Sequence, residues 1–89
     1  MKTSDESFYE ILGPLPAEKV LAADYQFDVA DRIYALMKEQ GLNQKQLAIA
    51  IGHRPSEISK WLSGQHNFTL KTLALLTNFF GKPLITVVK

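Results

Sequence analysis

Few residues of this chain are suited to catalytic or metal chemistry, and their spacing limits them further. His53 and Glu57 stand four apart and could share a metal ion across one helical turn. The only other histidine is His66, the chain has no cysteine, and two ligands do not make a site. Ser56, Ser59 and Ser63 offer hydroxyls, but no histidine and carboxylate are arranged to activate any of them. A glycine-rich loop that could cradle a phosphate is also missing. Both histidines therefore read as surface residues of a turn and a loop, and the chain as a non-enzyme with no cofactor or metal. Electrostatic attraction remains as the available chemistry. Residues 41–89 carry Lys45, Arg54, Lys60, Lys71, Lys82 and Lys89 against the single acid Glu57, a balance of +5. Residues 1–40 carry four bases against eight acids, a balance of −4, so the net charge of +1 conceals a division. A polyanion responds to the local field and not to the total. Small chains also acquire such asymmetry by chance.

Within the basic half, the spacing specifies two short helices joined by a tight turn. Leu47, Ala48 and Ile51 share a helical face, and Ala48 is small where steeply crossed helices touch. Gly52 follows Ile51, where a left-handed residue ends a helix at least cost. Ile58 and Trp61 give the second helix an inward face, expected to pack on Leu47 and Ile51. Asn43, with Gln46 three residues on, has the form of a capping box and starts the first helix near Gln44. Pro55 suits the first position of the second helix and Gly64 closes it, bounding it at about 55–63. Such a helix-turn-helix presents its second helix to a DNA major groove.

Further helices must hold this pair. Residues 27–40 place Val29, Ile33 and Leu36 on one stripe and Phe27, Ala30, Tyr34 and Met37 on an adjacent one. The second stripe needs a cover, either from the preceding segment, through Phe8, Ile11, Leu12, Leu15, Val20 and Leu21, or from a second protomer. A short helix is expected over about 17–24, and residues 1–7 read as loose. Downstream, Thr69 can cap a helix that turns Leu70, Leu73, Ala74, Leu76, Thr77 and Phe80 inward and ends at Gly81 before Pro83. Leu75 and Phe79 fall off that face and suit either a dimer contact or a thicker core. Residues 84–88 are β-branched and read as one strand. A lone strand needs a partner: a second copy about a two-fold axis, its own chain, or another molecule.

With 89 residues and 46% hydrophobic content, the chain suits one compact domain. Its expected divisions are an acidic N-terminal extension over 1–26, a helix-turn-helix domain over 27–83 and a C-terminal strand over 84–89 that makes a dimer contact. No apolar run approaches a membrane span or a signal peptide core, so a soluble cytoplasmic protein with no membrane partner is expected.

Gly41-Leu42-Asn43-Gln44, Gln46-Leu47-Ala48, Ile51-Gly52, Ser56, Ile58-Ser59-Lys60-Trp61, Ser63-Gly64 and Thr69-Leu70-Lys71-Thr72-Leu73 stand in an order and spacing that can be matched as a set. In them, residues 27–83 resemble the lambda-repressor-like, Cro/cI-type helix-turn-helix family, also called the xenobiotic-response-element family. The ending Gly81-Lys82-Pro83-Leu84-Ile85-Thr86-Val87 and the N-terminal extension are also similar to antitoxins of the host-inhibition-of-growth type. The implied fold is all-α: a lambda-repressor-like bundle of four to five helices with one short C-terminal β-strand.

The resemblance also implies a contact set. It places Gln44 at a helix N-terminus close to phosphate, where the residue could equally be a plain helix former. Arg54, Pro55, Ser56, Glu57, Ser59 and Lys60 lie on or just before the recognition helix. Ser56 and Lys60 match positions that read base edges or phosphate. Asn67 matches a phosphate-contacting loop. Pro55 departs from the pattern and offers only apolar contact, and Arg54 replaces a capping hydroxyl with a cation. Glu57 would repel phosphate unless it accepts from cytosine or pairs with Arg54 or Lys60; otherwise it is a solvated helix residue. The function implied is a homodimeric repressor of double-stranded DNA, with an antitoxin role directed at a small basic toxin as a further possibility. The alternative is a protein-interaction module that neutralises a toxin or binds another partner, with weak or no DNA binding.

Overall fold

The computed structural model describes residues 16–88, which form four helices: α1 (Ala17–Glu39), α2 (Gln44–Ile51), α3 (Pro55–Leu62) and α4 (Leu70–Phe80). The first is longer than its sequence suggested. Helices expected over 17–24 and 27–40 are one continuous helix, because Asp24, Tyr25 and Gln26 include no glycine or proline to interrupt its hydrogen bonding. Pro16, in an extended conformation, marks its start. Phe8, Ile11, Leu12 and Leu15, offered as cover for α1, and residues 1–7 lie outside the described residues.

Local signals close the shorter helices. Asn43 Oδ1 accepts the Gln46 N–H at 2.8 Å and Gln46 Oε1 accepts the Asn43 N–H at 2.9 Å, completing the capping box of α2. Gly52 ends α2 in the left-handed region at φ 73°, a conformation that costs other residues about 1–2 kcal/mol. Thr69 Oγ1 accepts the Thr72 N–H at 3.1 Å and starts α4.

One core joins the four helices. Ile33 and Leu36 of α1, Leu47 of α2, Ile58 of α3 and Leu76 of α4 are fully buried, with Ala48 and Trp61 beside them. Ile51 is half-buried against the same cluster. The second stripe of α1 divides, Ala30 and Met37 turning inward while Phe27 and Tyr34 remain half-exposed. In α4 the buried arc is Leu73, Leu76 and Phe80. Leu70 and Ala74, expected inside, are exposed: Leu70 lies in the first turn at the edge of that arc, and Ala74 turns away from it. Phe79 is half-buried and packs on the core.

Residues 84–88 form no strand among the described residues. A strand needs a ladder, and every neighbouring element is a helix whose backbone groups are already paired. Instead Leu84 is buried in the core, and α1 holds the segment before it. Arg32 Nε donates to the Pro83 carbonyl at 3.0 Å and Gln40 Nε2 to the Phe80 carbonyl at 3.2 Å. Lys82 pairs with Glu39. No helix among the described residues is long and apolar enough to cross a membrane.

Candidate nucleic-acid interface

Helix α3 is fixed on one side by Ile58 and Trp61, so helical periodicity turns Ser56, Ser59 and Lys60 outward, all exposed. Pro55 occupies the first position and is exposed as well. The chain thus brings together most of the residues expected on the recognition helix. Arg54, just before the helix, is extended and exposed. Gln44 opens α2 at the rim of a shallow pocket of about 260 Å³ shared with Tyr34, Lys38 and Leu62. Asn67 is not gathered with them. It lines a separate groove of about 570 Å³, with Tyr25 and Gln26 on α1 and Ile85 and Thr86 of the C-terminal segment.

Glu57 lies at the third position of α3, between Trp61 on the buried side and Lys60 on the outward side. Its Oε1 accepts the Arg54 N–H at 3.1 Å, giving the helix one half of a capping box. The other half is missing because a guanidinium has no acceptor. Its Oε2 accepts from His53 Nδ1 at 3.0 Å. The His53 hydrogen bond and then the Arg54 N–H hold the carboxyl below its usual range. Both oxygens are therefore engaged within the chain, and the partner is neither Arg54's guanidinium nor Lys60.

His53 is the residue that sequence reasoning undervalued. Its backbone N–H donates to the Ala48 carbonyl at 2.9 Å, and its ring meets Trp61 edge-on at 5.2 Å. Trp61 also neighbours Phe68 at 6.3 Å, and Phe68 meets His66 edge-on at 4.7 Å. A string of aromatic rings thus supports both the turn before α3 and the loop after it. The four-residue spacing of His53 and Glu57 is legible, and in the structure the pair braces the start of α3.

Residues 33–87 match the helix-turn-helix family. The chain belongs to that family. No curated protein and no solved structure is matched by the chain. The family is the lambda-repressor-like, Cro/cI-type class, and this member is a DNA-binding transcription regulator. The matched region begins inside α1 and continues through the C-terminal segment. In this helix-turn-helix regulator the capped α2, the short turn at Gly52 and the outward face of α3 form one locally braced, exposed unit.

Proposed function

We propose that the chain is a sequence-specific repressor that binds double-stranded DNA as a homodimer, with α3 of each copy in successive major grooves about 34 Å apart. The observation that carries this reading is the outward face of α3. Ser56, Ser59 and Lys60 are exposed together while the neighbouring carboxylate is occupied within the chain. Ser56 and Lys60 read base edges, Pro55 contacts a thymine methyl, and Arg54 and Ser59 reach phosphate or base edges. Gln44 and the N-terminus of α2 anchor a phosphate, Asn67 contacts the backbone, and Glu57 contributes by capping α3. The exposed, β-branched Ile85, Val87 and Val88 support a two-fold contact through residues 84–88.

The Lys60→Glu reversal tests the reading by fluorescence anisotropy on a duplex that the wild-type chain selects from a random-sequence pool. The expected outcome is a loss of at least tenfold in affinity, since each good base or phosphate contact is worth about 1–3 kcal/mol. Wild-type binding should weaken steeply with salt. Binding that ignores both the reversal and the salt would refute it.

A second reading, an interaction module that neutralises a small basic toxin or binds another protein, is favoured by α1. There Leu21 and Tyr25 are 50% and 64% exposed on the side of the helix that carries Asp24, Asp28 and Asp31. Both roles can reside in one chain. A gene for a small basic protein beside this one, and co-purification of its product, would support the antitoxin role; a neighbourhood without one leaves a stand-alone repressor.

A further inference from the structure

Resting on the DNA-binding reading above, a second residue acquires a part in recognition without touching DNA. A recognition helix with a carboxylate among its first residues has two problems. The carboxylate repels phosphate, and it can draw nearby cations into internal pairs that compete with DNA. Arg54 and Lys60 both lie within three residues of Glu57 in the sequence. Among the described residues neither is ion-paired; the pairs formed there are His53 with Glu57 and Lys82 with Glu39.

The reason is where the Glu57 carboxylate is held. The Arg54 N–H fixes Oε1, and that bond alone leaves Oε2 free to turn toward Lys60. His53 Nδ1–H takes up Oε2. The imidazole can do this because it is itself fixed twice, by the hydrogen bond from its backbone to Ala48 and by the edge contact with Trp61. We propose that His53 is a positioning residue for DNA binding: it holds the Glu57 carboxylate against the turn and out of an ion pair with Lys60, so that this cation stays available to DNA. Its effect passes entirely through Glu57.

A double-mutant cycle on the full chain separates this role from a structural one. His53→Phe keeps an aromatic ring against Trp61 and removes the Nδ1 donor, while Glu57→Gln keeps an acceptor for the Arg54 N–H and removes the charge. Binding to the selected duplex is followed by anisotropy across a salt series. His53→Phe alone should weaken binding by about five- to tenfold and lower the slope of log K against log salt by about one, as for the loss of one phosphate contact. In the Glu57→Gln background the same change should alter binding by less than about twofold. His53→Asn, whose amide can donate from nearly the place of Nδ1 but lacks the ring's contact with Trp61, should restore most of the binding that His53→Phe loses and covers the case in which His53→Phe does not fold. An equal loss in both backgrounds, no loss at all, or failure of His53→Asn to restore binding overturns the proposal. If the wild-type chain shows no salt-dependent binding, the DNA reading fails first; if it binds but the cycle shows no coupling, only the part given to His53 fails.

Discussion

The α2–α3 unit and the pairing of α1 with the C-terminal segment are held by different kinds of interaction. In the first, every defining bond is short in sequence: Asn43 with Gln46, Arg54 with Glu57, His53 with Glu57. In the second, the bonds span long separations, 51 residues for Arg32 to Pro83 and 40 for Gln40 to Phe80. Their surfaces differ as well. The outward residues of α3 are polar or basic apart from Pro55, whereas Leu21, Tyr25, Ile85, Val87 and Val88 leave apolar surface exposed, and Tyr25 and Ile85 line the groove of about 570 Å³. A pre-organised, locally closed surface suits a rigid ligand such as duplex DNA, because little ordering entropy is lost on binding. An exposed apolar surface suits contact with protein.

The largest test of this contrast compares a core residue beneath the outward face of α3 with an exposed one on α1. Ile58→Ala removes a fully buried side chain and should cost about 2–5 kcal/mol in urea denaturation. Leu21→Ala, half-exposed in the structure and neutral in helix propensity, should stay within about 0.5 kcal/mol. A loss at Leu21 comparable to that at Ile58 would break the comparison, because it would mean that this face of α1 is covered.

A smaller effect sharpens it at a place where the regions touch closely, the end of α3 against α1. Gly64, which ends α3, has φ 82°, and a Cβ added there would collide with the Phe27 ring of α1; Gly52 has φ 73° with open space around it. Gly52→Ala should therefore show only the left-handed strain, about 1–2 kcal/mol. Gly64→Ala should cost more. In a Phe27→Ala background the two substitutions should become equal, and thermal melts of the four variants decide it. A gap that persists without the ring would locate the extra cost elsewhere.

The smallest effect concerns pH. Each region has one carboxyl held below its usual range: Glu57 by the His53 hydrogen bond first, and Glu39 by the Lys82 hydrogen bond and then its charge. A depressed folded value stabilises above the unfolded value and loses that contribution as pH falls through the folded one. Glu39→Gln and Glu57→Gln should each be slightly less stable than wild type near neutrality and equal to it once the carboxyls are protonated in acid. Denaturant titrations at both pH values read this out, and a gap that widens in acid would contradict the assigned pairs.

Legibility in the sequence followed the range of the interactions. Gly52, Pro55, the Asn43–Gln46 box and the Thr69 cap could be read directly, since each rests on residues within four of one another. The continuity of α1 across the segments expected as two helices rests on the absence of a breaking residue at 24–26, a negative signal that apolar striping does not display. Leu70 was turned inward on a wide reading of the α4 face, and packing chose the narrower arc of Leu73, Leu76 and Phe80. The exposure of Ser56, Ser59 and Lys60 follows from helical periodicity, whereas the contact of His53 with Glu57 does not.

By itself, the sequence determined the helix-turn-helix: its ends, its turn and the residues on its outward face, because short-range hydrogen bonding and side-chain periodicity act within a few residues. Only the tertiary structure decided what those residues meet. It engaged Glu57 with His53, whose ring meets Trp61, set Asn67 in a groove with α1 and the C-terminal segment, and turned the expected strand at 84–88 into an anchored tail. The anchored tail depends on groups 51 and 40 residues apart along the chain and close in space; the Glu57 contact is local, but which of its neighbours the carboxylate meets depends on how the imidazole packs against Trp61.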